Sequence, residues 1–178
     1  FVPALRRKHV YLSALKPVFG LTYGMPTEAT MPSVEWSVGQ LSNGRNPDLG
    51  SAGILYCLPI IPMEGVAVRE LIAMIDETLT HGGFVPYVTF NMVNRQSLEC
   101  VINIAFDRRD VEESERAHAA IDRLFERCMS EGLIPYRVGI QHMRRLVDVG
   151  DPHWQLVRKL KEVFDPDGVI APGRYNLA

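Results

Sequence analysis

The chain has 178 residues, 47% of them hydrophobic and 22% charged, with a formal charge of −2. That size and composition fit one globular domain with a real core, with or without an appendage. The charge gives no footprint for DNA, RNA or an acidic membrane, no apolar stretch approaches the ~20 residues of a membrane span, and no secretory h-region is present.

Residues 1–50 read as a loop-rich segment, punctuated by Gly20, Gly24, Pro26, Pro32, Gly39, Gly44, Pro47 and Gly50. Only Val10–Val18 has room for a short helix there. So much irregular chain in a small protein implies packing against something else. Position 1 is Phe, not Met, which leads us to expect a start inside a longer polypeptide. Ile54–Ile60 is a short apolar run fit for a buried strand, ended by Pro62 and Gly65. Leu71, Ile72, Ile75 and Leu79 recur at helical spacing until Gly82-Gly83 stops them. Val88, Phe90 and Met92 alternate with Tyr87, Thr89 and Asn91, as a strand with one apolar face. Cys100, Ile102, Ile104 and Phe106 alternate likewise against Val101, Asn103 and Ala105. Asp110 can cap the next helix, with Glu112, Glu113 and Glu115 placed where the helix dipole favours anions. That helix buries Ala117, Ile121, Leu124 and Cys128 and ends at Gly132. Ile134, Tyr136, Val138 and Ile140 alternate once more, as a fourth strand. Asp151-Pro152 opens a last helix through Trp154, Val157, Leu160 and Phe164.

The order is β-α-β-β-α-β, a ferredoxin-like split βαβ arrangement in the α+β class. It predicts an antiparallel sheet with both helices on one face and Tyr87, Thr89, Asn91 and Asn103 on the open one. Cys57, Cys100 and Cys128 lack CxxC spacing and sit in apolar patterns, which reads as buried free thiols in a reducing, cytoplasmic compartment. The five histidines are scattered, so no metal site is expected. The basic clusters Arg6-Arg7-Lys8 and Arg144-Arg145 read as solvated faces.

Three stretches together resemble one family. FGLTYGMPTE (19–28) resembles the Gly-x-Pro-Thr-Asp/Glu loop of the vanillyl-alcohol oxidase and p-cresol methylhydroxylase flavoenzymes. IPYRVGIQHM (134–143) resembles their Tyr-Arg strand, and FDPDGVIAPGR (164–174) their C-terminal signature. The resemblance implies a cap domain over 51–145 that holds the substrate. It implies that residues 146–178 return to a FAD-binding domain absent from this chain, with 1–50 packing on the cap or on that missing domain. It also implies oxidation of a para-substituted phenol, with hydride passing to the flavin and leaving a quinone methide. Tyr136 and Arg137 would bind the phenol oxygen as phenolate, Arg174 would face the flavin ring edge, and Tyr56 and Thr89 would line the pocket. Some relatives carry a flavin-linking histidine where this chain has Ile54, so non-covalent FAD is expected. A homodimer is a further expectation.

From the residues alone, Tyr136 fits a core tyrosine, Thr89 a plain strand polar and Arg174 a surface arginine. In a regular strand Tyr136 and Arg137 point to opposite faces, and both reach one ligand only if the strand twists, bulges or ends there. Two other functions stay open: a related flavin enzyme acting on a 2-hydroxy acid or alcohol, and a binding module without chemistry.

Overall fold

The computed structural model describes residues 2–30, 32, 35, 38 and 49–175. Helix α1 spans Val2–Leu15 and runs into a 3-10 stretch, Lys16–Tyr23, where a short helix across Val10–Val18 was expected. The expected irregular chain around Gly39, Gly44 and Pro47 lies outside the described residues.

The sheet begins with β1, Ala52–Cys57, and β2, Ile60–Pro62. Both pair antiparallel with β4, Ser97–Asp107, in one unbroken register from Ala52↔Asp107 to Pro62↔Ser97. They are one strand in the sequence pattern, interrupted at Leu58-Pro59. Cys100 N–H donates to the Pro59 carbonyl at 3.0 Å, but Pro59 has no N–H to return, so the ladder lapses there. On the other edge β3, Tyr87–Met92, pairs antiparallel with β4.

The fourth strand forms only in part. Pro59 faces Pro135 in an isolated bridge, flanked by Ile60 N–H to the Ile134 carbonyl and Tyr136 N–H to the Leu58 carbonyl, each 3.1 Å. Beyond Tyr136 pairing stops, and Gly139 opens a short helix, Ile140–Leu146, labelled α4 below. The alternation from Ile134 to Ile140 therefore does not mark a strand: Ile134 and Ile140 are exposed and Val138 is buried. In space the order is β3, β4, β1/β2 and then the 134–136 segment, which is the order of the ferredoxin-like fold.

Helix α2, Gly65–Ile75, continues through one wider π turn, Asp76–Thr80, and stops at Gly83 with φ +88°. Helix α3, Val111–Ser130, starts where Asp110 accepts from Glu113 N–H at 3.0 Å. Leu71, Ile75 and Leu79 of the first helix share one buried cluster with Ile121 and Leu124 of the second, over Ile102 and Ile104 of β4 and partly buried Phe90 of β3. Both helices thus lie on one face, where each fully buried aliphatic side chain contributes about 1.5–3 kcal/mol. The other face carries Tyr56, Asn103 and Tyr87 as one row across three strands. The three cysteines are free and buried. Burial pushes the Cys100 thiol up to about 12. Among the described residues no helix is long and apolar enough to cross a membrane.

Helix α5, Pro152–Phe164, is capped by Asp151, which accepts from His153 N–H at 2.7 Å. It buries no side chain fully. The tail then turns back. Buried Asp165 accepts the N–H groups of Val169 and Ile170 at 3.0 and 2.9 Å and pairs with Lys161.

Candidate active site

Two features of the sequence bring the site together. Pairing stops at Tyr136, so Arg137 is freed from the strand and turns to the end of β1. Asp165 folds the tail, and Gly173, at φ +76°, lets it return over α4. Tyr175 then anchors it: its hydroxyl accepts from Val138 N–H at 2.9 Å, and its ring stacks parallel on Trp154 at 6.1 Å. The tail therefore docks within this chain, at the residue next to Arg137.

The result is a cavity of about 330 Å³ at the sheet edge, lined by Ile54, Tyr56, Phe125, Arg137, His142 and Arg174 among others. Three of the five residues picked out in sequence, Tyr56, Arg137 and Arg174, meet there. The other two do not. Thr89 lies exposed on β3, opposite Val101. Tyr136 is 43% exposed and turns toward Glu99 on the open sheet face. Its hydroxyl is held in the protonated form by burial, by a hydrogen bond with Glu99 and by that carboxylate's charge, with Arg137 pulling the other way. The Arg137 guanidinium sits 5.9 Å from the Tyr136 ring centre. Strand pairing ends at this dipeptide, and of the two only Arg137 lines the cavity.

Among the described residues neither Arg137 nor Arg174 has a carboxylate partner. Arg174 rests against the Tyr175 ring, 5.5 Å from its centre. Two unneutralised guanidiniums on one partly apolar cavity make a site for an anion or an electron-rich ring. No group of three metal ligands occurs among the described residues. The cavity is ring-sized and cation-edged, with Gly139 as its one lining glycine. It offers no glycine-rich cradle for the phosphates of a flavin nucleotide.

Sequence reasoning missed His142 and Asp122. Reading 134–140 as a strand hid the helix start at Gly139, and with it the turn that brings His142 to the cavity wall.

A family model described as FAD linked oxidases, C-terminal domain, matches residues 67–175. Over 154 residues the chain is 28% identical to the 1'-carboxy-chondrochloren decarboxylase of Chondromyces crocatus, covering 86% of this chain and 28% of that protein. It is 29% identical over 129 residues to the 4-cresol dehydrogenase (hydroxylating) flavoprotein subunit of Pseudomonas putida, covering 72% and 25%. The structure is similar to p-cresol methylhydroxylase with substrate bound, with a TM-score of 0.63 and 27% identity over 70% of this chain and 24% of that one. It also matches 4-ethylphenol oxidase from Gulosibacter chungangensis in its isoeugenol complex, with a TM-score of 0.65. There the identity is 14% over 72% of this chain and 25% of that one, a likeness of fold alone. The chain spans about a quarter of the length of the curated relatives it matches.

Proposed function

The chain belongs to the FAD-linked oxidases as their C-terminal domain, and from that premise we propose that it is the substrate-holding part of a FAD-dependent oxidoreductase acting on para-substituted phenols. The observation that carries this reading is the convergence of Arg137, Arg174 and Tyr56 on one ring-sized cavity. A phenol ordinarily ionises near pH 10, whereas a guanidinium stays charged, so Arg137 at the phenol oxygen favours the phenolate. The phenolate is the electron-rich form that releases hydride from its para benzylic carbon. Bound FAD supplies the acceptor for that hydride. Arg174 sets a second fixed positive charge on the cavity, suited to negative charge that builds up as the reaction proceeds. Tyr56 and Ile54 give the ring an apolar wall. Tyr136 steadies the Arg137 guanidinium through its ring, and its protonated hydroxyl remains a donor. The FAD-binding domain of the same polypeptide is the proposed partner.

The test is Arg137→Ala in the full-length protein. A charge-assisted contact of this kind is worth about 1.5–3 kcal/mol, so turnover of a 4-alkylphenol should fall on the order of ten- to a hundredfold. Arg137→Lys should recover only part, because ammonium lacks the planar fork. The loss should shrink for phenols that are already acidic. An unchanged rate in a folded Arg137→Ala protein contradicts the assignment.

One observation favours a second reading. Two guanidiniums on one cavity also suit a carboxylate-bearing substrate such as a 2-hydroxy acid. In that case the loss on Arg137→Ala would not depend on phenol acidity, and 2-hydroxy acids would be the faster substrates.

A further inference from the structure

A buried histidine at the cavity has no task in the phenol chemistry above. His142 sits in the first turn of α4 and is 2% exposed. Its ring stacks on Phe125 of α3 with centroids 4.3 Å apart and planes 5° from parallel. Its Nε2 lies 2.7 Å from Asp122 Oδ1. A carboxylate only accepts, so Nε2 carries the proton and, in the neutral ring, Nδ1 holds a lone pair. Among the described residues no donor reaches Nδ1. Asp122 is itself held by Arg145, whose Nη2 reaches its Oδ2 at 3.1 Å while Nη1 reaches Glu126 at 3.0 Å. The geometry is a carboxylate–imidazole pair with its basic nitrogen uncommitted, on a residue that lines the cavity Arg137 shares.

We propose that His142, oriented by Asp122, is the base that takes the hydroxyl proton of the phenol as Arg137 takes up its anion. This rests on the phenol reading. The phenol O–H bond breaks, its electron pair stays on oxygen, and the proton moves to Nδ1. The product is an imidazolium whose Nε2–H still faces Asp122, and nothing is oxidised or reduced. The charged groups around the ring are Asp122 and Glu126 on α3, Arg145 on its own helix, and Arg137 and Arg174 at the cavity. Transfer inside the site leaves the net charge of the cavity unchanged, which avoids creating an uncompensated charge in a partly desolvated space.

The test uses full-length protein and 4-fluorophenol, which has no benzylic carbon to oxidise and whose fluorine NMR shift reports ionisation. At about pH 8, between the ordinary imidazole and phenol ranges, the wild type should bind it as phenolate with almost no proton released, because His142 keeps it. Proton release is read by calorimetry in two buffers of different ionisation enthalpy. In His142→Gln the amide still donates to Asp122 but cannot hold the proton. The bound phenol should then either stay neutral or ionise with release of about one proton per site. Asp122→Asn, which keeps the imidazole, should lower the ionised fraction at the same pH. Phenolate bound to His142→Gln without proton release, or an unchanged ionised fraction in Asp122→Asn, overturns the proposal. A neutral phenol on the wild type overturns the phenol reading itself, and the proposal with it.

Discussion

Arg137 and Arg174 are distant in sequence and share a cavity because of three nearby residues: Tyr136, where pairing ends, Asp165, which folds the tail, and Tyr175, which pins it to Val138. Sequence alone named both arginines, but only through family resemblance; no periodicity pointed to either. Their different places imply different losses. Arg174→Ala should slow flavin reduction by every substrate, without the dependence on phenol acidity expected of Arg137→Ala, as measured by anaerobic stopped-flow absorbance. Ile54 lines the same cavity and has no nucleophilic atom. Any FAD in the full-length protein should therefore come free on acid or heat denaturation. Flavin fluorescence remaining with the polypeptide on a denaturing gel would place a covalent link elsewhere. His142 was illegible because its meaning depends on Asp122 of another helix, a contact no local pattern encodes.

Strands β3 and β4 and the two sheet-packing helices were legible because each has one buried face, so burial writes its period into the sequence. Leu124, fully buried at the centre of α3, illustrates the cost of breaking that pattern. Leu124→Ala should lower stability by about 2–5 kcal/mol in chemical denaturation. The fourth strand misled because its apolar alternation runs past Tyr136, where pairing ends, and across Gly139, which starts a helix. The tail is an element of a different kind, turned by one carboxylate before Tyr175 pins its end. Lys161 first, then the N–H groups of Ile170 and Val169, keep Asp165 below the ordinary carboxylate range. A carboxyl depressed in the folded state adds stability above its unfolded pKa and loses it as pH falls through the folded one. The turn should thus hold at neutral pH and loosen only in acid. Asp165→Asn should speed hydrogen exchange at Val169 and Ile170 at neutral pH; unchanged exchange would mean the turn is held by other contacts.

At the scale of the whole molecule, the surfaces left uncovered among the described residues include the open sheet face with its row Tyr56, Asn103 and Tyr87, and the outer side of α5 with exposed Leu156, Leu160, Val163 and Phe164. We take these as the sides turned toward the substrate and the FAD-binding domain. The 178-residue chain alone should then bind no FAD, since its cavity offers the ring end a cation but the phosphates no cradle. A near-stoichiometric flavin band on the purified chain would refute that. The central claim, that this chain holds a phenol against a flavin, is tested most directly by mixing the full-length protein anaerobically with a 4-alkylphenol and, separately, with a 2-hydroxy acid. Rapid bleaching of the bound flavin by the phenol, and little by the acid, is the expected result. Bleaching by the 2-hydroxy acid and by no 4-alkylphenol would contradict it.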